Sequence, residues 1–277
     1  MLSRRQFIRF SLTLSILGWK EFALAKTTSL RLGALPVVSA RRAYEIYSPL
    51  IEYFEKSLKQ KISLETPPNF KMMYQRILKN EFDLLLSPPH IARLAQKKLG
   101  WHPLVMCQPV HYSELLTMEG VGLKSLEELR GKTIAVLDKS SLVIMIMFEA
   151  LAKKGYIVDR DYNVIVTRSY ESSELAVKQG VAQAMIARSQ GILELDNRKH
   201  MQVLFQADAL PGYVIIAAPA TTTRRLQLLQ KHLLAFSFTP EAKIFLSKFG
   251  YETFAAATET RMRQLDPYLK ATEESLL

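Results

Sequence analysis

Two serines and a lysine stand together between an apolar strand and an apolar helix of this sequence. Lys139, Ser140 and Ser141 follow the strand predicted over residues 133–137 and precede a helix that begins near Leu142. Hydroxyl and ammonium groups at a helix start suit an anion, because the first turn also offers free N–H groups and a positive dipole end. Either serine also suits the plain role of helix N-cap. We expect Lys139, Ser140 and Ser141 to contact an anionic ligand.

Two further loops join a strand to a helix in the same way. Ser87 and His90 flank two prolines after the strand predicted over residues 82–86, and prolines suit the first turn of a helix. Tyr170 lies in the loop 168–171, and its phenol can donate a hydrogen bond to an anion. Ligands of α/β proteins bind beyond the carboxyl ends of parallel strands. We therefore expect Ser87, His90 and Tyr170 to lie at the same site, although a histidine at a helix start also suits a structural role.

The sequence gives little support to catalysis or metal binding. Cys107 is the only cysteine and lies in an apolar run, so we expect it to be buried. There is no CxxC, Gly-x-Ser-x-Gly or glycine-rich phosphate loop. Four further histidines are scattered without the spacing of metal ligands: His102, His111, His200 and His232. We expect a protein that is not an enzyme and holds no metal or cofactor.

The charge of the chain favours an anionic partner. The formal net charge is +11, which suits a small anionic solute, a nucleic acid or an anionic membrane surface, or serves solubility alone. The sequence contains no basic helix or aromatic RNA-binding motif, and this argues against nucleic acid. With 48% hydrophobic and 23% charged residues, the chain has globular composition.

Strands and helices alternate along the chain and position these loops. A strand predicted over residues 30–35 is followed by Tyr47, Leu50 and Phe54 at helical spacing. The alternation continues to residue 95 and starts again after residues 113–118. The later strand candidates are residues 133–137, 164–166, 184–187 and 201–205. This order predicts two α/β lobes of roughly 100 residues each.

The N-terminus has the layout of an export signal. Arg4 and Arg5 precede the apolar residues 10–19, and small residues at Ala23 and Ala25 form a cleavage site. The order serine, two arginines, a variable residue, phenylalanine and an aliphatic residue resembles the twin-arginine signal. The apolar run is too short to cross a bilayer of roughly 30 Å, so we expect cleavage after Ala25 rather than a retained anchor. The expected location is the periplasm.

Four segments, taken in order, resemble the phosphate, phosphite and phosphonate-binding proteins of ABC transporters. They are residues 32–36, 47–54, 82–88 and 131–136. The resemblance implies an α/β, two-lobed type II periplasmic-binding-protein-like fold, each lobe a mostly parallel sheet flanked by helices. It also implies two hinge crossings, at residues 112–118 and 213–218. Lobe 1 would then comprise residues 26–112 plus 213–277, and lobe 2 residues 113–212.

The resemblance implies a monomeric protein that delivers a small anionic solute to an ABC transporter permease. It adds Tyr112, which matches a tyrosine at the hinge of the family, and Phe70, where phosphonate binders tend to have a tyrosine. Core packing is the alternative for Phe70, which lies on the apolar face of its own helix. The chain has Gln190 and Gly212 where binders of aminoalkylphosphonates have acids, so an ammonium group on the ligand would lack a partner.

Other departures from the family concern the oxyanion. Leu142 and Val143 replace further polar residues of the hydroxyl run, which weakens the assignment of an oxyanion ligand. Arg168 and Arg188 near the expected cleft favour a ligand that is anionic throughout, although long arginines are commonly solvated.

Two alternatives use the same fold. One is a periplasmic accessory protein that reports ligand occupancy to a membrane histidine kinase or chemoreceptor. The other is a secreted enzyme, which would need a catalytic histidine or cysteine in the cleft.

Overall fold

The computed structural model describes residues 29–167, 170–190 and 200–277. The predicted signal segment, residues 1–25, lies outside the described residues. The strands are β1 (Leu30–Gly33), β2 (Ile62–Glu65), β3 (Leu84–Ser87), β4 (His102–Gln108), β5 (His111–Met118), β6 (Thr133–Val136), β7 (Asn163–Val166), β8 (Ala184–Arg188), β9 (Met201–Leu210), β10 (Val214–Ala217) and β11 (Thr253–Ala256). The helices are α1 (Ala40–Leu58), α2 (Phe70–Leu78), α3 (Pro89–Leu99), α4 (Leu142–Lys153), α5 (Tyr170–Lys178), α6 (Thr223–Phe236), α7 (Pro240–Ser247), α8 (Glu259–Arg263) and α9 (Leu269–Leu276).

These elements form two sheets flanked by helices, which confirms the α/β class. The first sheet has six strands in the order β11-β4-β10-β3-β1-β2, and the second has five in the order β7-β6-β8-β5-β9. In the first sheet β1 runs parallel to β2 and β3, whereas β10 runs antiparallel to both β3 and β4. In the second, β6 runs parallel to β7 and β8, whereas β5 runs antiparallel to β8 and β9. Both sheets are therefore mixed rather than mostly parallel.

The chain passes between the sheets twice, and these passages explain the antiparallel pairs. Pro109 and Val110 join β4 to β5, and residues 211–213 join β9 to β10. A strand that arrives from the other sheet enters at the edge where the parallel strands end, so it must run against them. The first predicted crossing, residues 112–118, begins just after the first passage. The second, residues 213–218, begins at the last residue of the second passage. Their strands β5 and β10 each lie within a single sheet.

In the C-terminal region, the capped helix α7 is followed by the strand β11. The Thr239 hydroxyl accepts a hydrogen bond from the Ala242 N–H at 3.2 Å, and Pro240 is the first residue of α7. The sequence did not predict β11, which pairs antiparallel with β4 at the edge of the first sheet. Among the helices of the described residues, none is long and apolar enough to span a bilayer.

A buried arginine joins the C-terminal segment to α3. The Arg93 side chain is 2% exposed, and its Nε lies 2.6 Å from an Asp266 carboxylate oxygen. Its Nη1 lies 2.9 Å from the carboxylate of Glu259. This forked contact satisfies the guanidinium in a buried place and fixes α8 and the turn before α9 against α3. Helix α3, whose N-terminus faces the second sheet, is thereby fixed against the C-terminal segment.

Candidate functional site

Four helices begin at one cavity. The first residues of α2, α3, α4 and α5 are among those that line it: Phe70, Pro89, Leu142 and Tyr170. Helix α3 packs on strands of the six-stranded sheet, whereas α4 and α5 pack on strands of the five-stranded sheet. The cavity, about 30 Å³ in volume, therefore lies between the two sheets. The positive ends of several helix dipoles at one place favour a bound anion.

The strand register explains why these helices meet. Ser87 ends β3 and pairs with Val214 at the start of β10, so the second passage between the sheets reaches the first sheet at this edge. In the other sheet Arg188 ends β8 and pairs with Ser113 near the start of β5. The carboxyl ends of β3 and β8 consequently lie on either side of the gap, and α3 starts directly after β3.

Arg188 brings a buried positive charge to this cavity. The residue is 6% exposed and lines the cavity. Its guanidinium carbon lies 4.8 Å from the ring centroid of Tyr213 and 5.0 Å from that of Tyr251. Its Nη2 donates a hydrogen bond to the carbonyl of Phe249 at 3.2 Å. Two ring faces and one carbonyl thus fix the plane of the guanidinium, which suits forked recognition of an oxyanion.

Three phenols surround the same charge. Burial raises the pKa of Tyr170, Tyr213 and Tyr251 above the ordinary value, although the charge of Arg188 lowers each of them in part. Burial lowers the pKa of Arg188, but the neighbouring phenols raise it by a larger amount. The pKa of Arg188 therefore lies above its ordinary value. The phenols therefore stay protonated at neutral pH and Arg188 stays charged. A protonated phenol can donate a hydrogen bond to an anion.

Three of the residues selected from the sequence line the cavity. Ser141 is the N-cap residue of α4, yet its side chain makes no capping hydrogen bond. The simple capping role therefore does not account for its hydroxyl. Tyr170 and Phe70 occupy the first positions of α5 and α2 and contribute a phenol and a phenyl ring.

Two other serines are buried beside the cavity, and their hydroxyl groups donate to oxygen atoms of the protein. The Ser140 hydroxyl lies 2.7 Å from an Asp138 carboxylate oxygen, which also accepts the Ser140 backbone N–H at 2.8 Å. The Ser87 hydroxyl donates to the carbonyl of Pro88 at 3.1 Å. A hydroxyl whose proton is donated to an oxygen of the protein can accept but not donate to an anion. In this arrangement neither Ser140 nor Ser87 supplies the predicted donor.

His90 makes a contact between the two halves of the molecule. It is fully buried, and its Nε2 lies 2.9 Å from the backbone carbonyl of Ser140. Because a carbonyl only accepts, Nε2 carries the proton in this contact. Burial lowers the pKa of His90 to about 4, so the ring is neutral at neutral pH. The structure thus gives the ring a role in joining α3 to the loop before α4, instead of the predicted contact with an oxyanion.

Tyr112 and Lys139 lie outside the cavity. Tyr112 is 39% exposed and lies between His111 and Ser113, both of which are buried. Successive side chains of a strand point to opposite faces, and this alternation turns Tyr112 away from the faces of its neighbours. Lys139 is exposed in the loop before α4. Arg168, the other arginine named from the sequence, lies outside the described residues.

A larger depression, of about 980 Å³, lies at the opposite end of the six-stranded sheet, where β1 begins and β10 ends. Arg31 and Asp83, which line it, hold each other in an ion pair at 2.9 Å. It adjoins Ser29, the first described residue. The smaller cavity between the sheets is the better candidate because the helix N-termini and Arg188 meet there.

Sequence reasoning did not include Arg188, Tyr213 or Tyr251 among the contacts. Arg188 ends β8, and the rule that selected Ser87 at the end of β3 also applies to it. Its exclusion followed from the expectation that long arginines are solvated. Tyr251 precedes the unpredicted β11, and Tyr213 was treated only as part of a hinge. A charged residue directly after an apolar strand was the available signal for Arg188.

Solved structures share this architecture at low sequence identity. A binding protein component of an ABC phosphonate transporter from Pseudomonas aeruginosa is 15% identical, with a TM-score of 0.75 over 90% of this chain and 89% of the other. A Prochlorococcus marinus protein in complex with methylphosphonate is 12% identical, with a TM-score of 0.76 over 90% and 99%. A Xanthomonas citri protein bound to ATP is 16% identical, with a TM-score of 0.74 over 90% and 99%. These similarities show a type II periplasmic-binding-protein fold.

The sequence itself identifies the family. A comparison with curated proteins gives no match. The profile of the periplasmic substrate-binding protein of phosphonate ABC transporters, however, matches residues 32–261. That span contains both sheets apart from the first two residues of β1, together with the two passages between them and every described residue that lines the cavity. The chain therefore belongs to the family of periplasmic substrate-binding proteins of phosphonate ABC transporters.

Proposed function

We propose that this protein binds a small organic oxyanion of the phosphonate type in the cavity between its sheets and presents it to a membrane permease. The observation that carries the proposal is the meeting of four helix N-termini and the buried Arg188 at one cavity. Ser141 and Tyr170 supply donors there, and Phe70 supplies an apolar contact. The family favours this transport role over the sensory one.

The proposed mechanism is closure of two lobes around the ligand. Lobe 1 carries the six-stranded sheet and lobe 2 the five-stranded sheet, with Pro109–Val110 and residues 211–213 as the hinge. The bond from His90 to Ser140 joins the lobes and supports a closed arrangement. Closure over an anion would create the surface that the permease recognises.

The proposal includes export. The segment before residue 26 has the layout of a twin-arginine signal, and the family is periplasmic. Cleavage after Ala25 would release a monomer into the periplasm. The N-terminal sequence of the protein purified from a periplasmic fraction tests this: Lys26 is the expected first residue, and an intact Met1 would contradict it.

Calorimetric titration of the purified protein tests the binding function. The ligands are methylphosphonate, phosphite, phosphate, acetate and 2-aminoethylphosphonate. We expect methylphosphonate to bind and 2-aminoethylphosphonate to bind more weakly, because no Asp or Glu is among the described residues that line the cavity to pair with its ammonium group. Failure of the protein to bind any of these anions would contradict the proposal.

A further inference from the structure

The charge that faces a ligand in the cavity can be counted. Among the described residues that line it, Arg188 is the one with a charged side chain, and the rest are aromatic, aliphatic, proline or serine. The guanidinium is placed between the rings of Tyr213 and Tyr251 and is almost fully buried. A ligand that enters this space therefore meets one fixed cation in poorly hydrated surroundings.

The ionisable groups around Arg188 keep their protonation between about pH 7 and about pH 9, and His90 and His111 are mostly neutral there even at their ordinary pKa of 6.5. Burial raises the pKa of Tyr170, Tyr213, Tyr251 and the Cys107 thiol, so all four remain neutral. On the side of the first passage between the sheets, burial lowers the pKa of His111 to about 4, helped by the charge of Arg188. A change of affinity in this pH range therefore reports the charge of the ligand rather than that of the cavity.

A second negative charge on the ligand would be costly. Its transfer from water into a buried site is penalised by several kcal/mol unless a further cation compensates, and the helix N-termini, Ser141 and Tyr170 offer only partial charges and neutral donors. The side chains that line the cavity on its other sides are apolar: Val37, Leu137, Val143 and Leu210. These side chains favour an organic substituent instead of a second charged group.

We propose that the cavity selects the singly charged form of an organic oxyanion, that Arg188 meets this charge, and that the doubly charged form binds poorly. The inference rests on the proposed function and defines its substrate class. Alkylphosphonate monoanions and alkylsulfonates belong to this class, whereas phosphonate dianions and aminoalkylphosphonates do not.

Two ligands of similar shape test the inference on the unmodified protein. Methylphosphonate loses its second proton near neutral pH, as phosphate monoesters do at about pH 6, whereas methanesulfonate carries a single charge throughout. From about pH 7 to about pH 9, calorimetry should show the affinity for methylphosphonate falling about tenfold or more, because the singly charged fraction falls. The affinity for methanesulfonate should change less than about twofold. An unchanged or tighter affinity for methylphosphonate at the higher pH would overturn the inference.

Variants of Arg188 test whether this residue binds the charge of the ligand. Arg188→Gln should weaken binding of the methylphosphonate monoanion about 30-fold or more. Arg188→Lys, which keeps the charge but loses the fork, should fall between this variant and the unmodified protein. Arg224→Gln is the matched control, because it makes the same change in net charge at an exposed position of α6 and should change affinity less than about threefold. Circular dichroism checks that each variant folds.

The outcomes separate this inference from the proposed function. If the unmodified protein binds none of the anions, the proposed function fails. If it binds them and Arg188→Gln binds equally well, the proposed function stands and the role of Arg188 is contradicted. If Arg188→Gln does not fold, the comparison of the two ligands across pH on the unmodified protein decides the charge selection.

Discussion

Two of the hydroxyl groups selected from the sequence remain candidates for donors to the ligand, and they differ in their surroundings. Ser141 lies at the N-cap of α4 without making a capping bond, whereas Tyr170 begins α5 near Arg188. Each also stands where the positive end of a helix dipole reinforces a negative ligand. Both are therefore expected to contribute to affinity, with Tyr170 acting beside the buried charge.

The residue-scale prediction compares a cavity tyrosine with an exposed one. Tyr170→Phe removes one hydroxyl from a buried ring and should weaken methylphosphonate binding about 3-fold to 30-fold, because a ligand oxygen loses its donor. Tyr112→Phe makes the same chemical change at a residue 39% exposed and outside the cavity, and should leave the affinity unchanged. Calorimetry at about pH 6 measures both. A larger loss in Tyr112→Phe than in Tyr170→Phe would contradict this account and favour the sequence-based assignment of Tyr112.

The sequence predicted the loops that surround the cavity better than the individual residues that line it. The rule that ligands lie beyond strand carboxyl ends selected the loops that hold Ser141 and Tyr170. It could not show that Asp138 takes the Ser140 hydroxyl or that His90 bonds a carbonyl, because both depend on tertiary contacts. Arg188 was undervalued because its burial results from the packing of Tyr213 and Tyr251, which are distant from it in sequence.

The second passage between the sheets is in close contact with β4 at Gly212. A Cβ atom at this position would overlap the backbone carbonyl of Cys107, which belongs to β4. The Cys107 N–H donates to the carbonyl of Tyr213 at 2.8 Å, so the backbones are also hydrogen-bonded here. The absence of a side chain at Gly212 therefore allows the returning passage to lie against the first sheet.

The element-scale prediction concerns this contact. Gly212→Ala should lower the free energy of unfolding by about 1–3 kcal/mol, since the overlap is with backbone, and should also weaken ligand binding by displacing Tyr213. Gly120→Ala is the control, because Gly120 has φ +76° and open space around it. It should cost about 1–2 kcal/mol through backbone strain and leave binding unchanged. Urea unfolding and calorimetry measure both; a Gly212→Ala protein with unchanged affinity would contradict this account.

The order of strands and helices was predictable, but the direction and number of strands were not. Alternating apolar segments gave the positions of β6, β7 and β8 to within a residue or so. Two features escaped: the antiparallel placement of β5 and β10, and the existence of β11. Four residues, Thr253–Ala256, carry too little pattern to indicate a strand, and β11 forms because β4 offers it an edge.

If the lobes close as proposed, closure of the whole molecule should be coupled to the charge of His90. In the closed arrangement the ring is buried with a pKa of about 4, whereas its ordinary value is 6.5. If the lobes separate, water reaches the ring and the ordinary pKa returns. The open form then binds more protons than the closed form below pH 6.5. Closure, and with it ligand affinity, is therefore favoured above that pH and weakens as the pH falls toward about 4.

The prediction at this scale uses a ligand that does not titrate. Affinity for methanesulfonate should fall as the pH is lowered from about 6.5 to about 4.5, as measured by calorimetry. His90→Gln keeps an N–H donor for the Ser140 carbonyl but cannot be protonated, so its affinity should depend less on pH. Some dependence should remain, because the pKa of His111 is also lowered to about 4. The same slope in both proteins would contradict a role for His90 in closure.

The central claim is that a singly charged organic oxyanion is held between the sheets, and a crystal structure with methylphosphonate at about pH 6 tests it most directly. We predict phosphonate oxygens within hydrogen-bond distance of the Arg188 guanidinium and of the first N–H groups of α4, with the methyl group toward the apolar wall. Methylphosphonate bound elsewhere, or bound between the sheets without contact to Arg188, would contradict the claim.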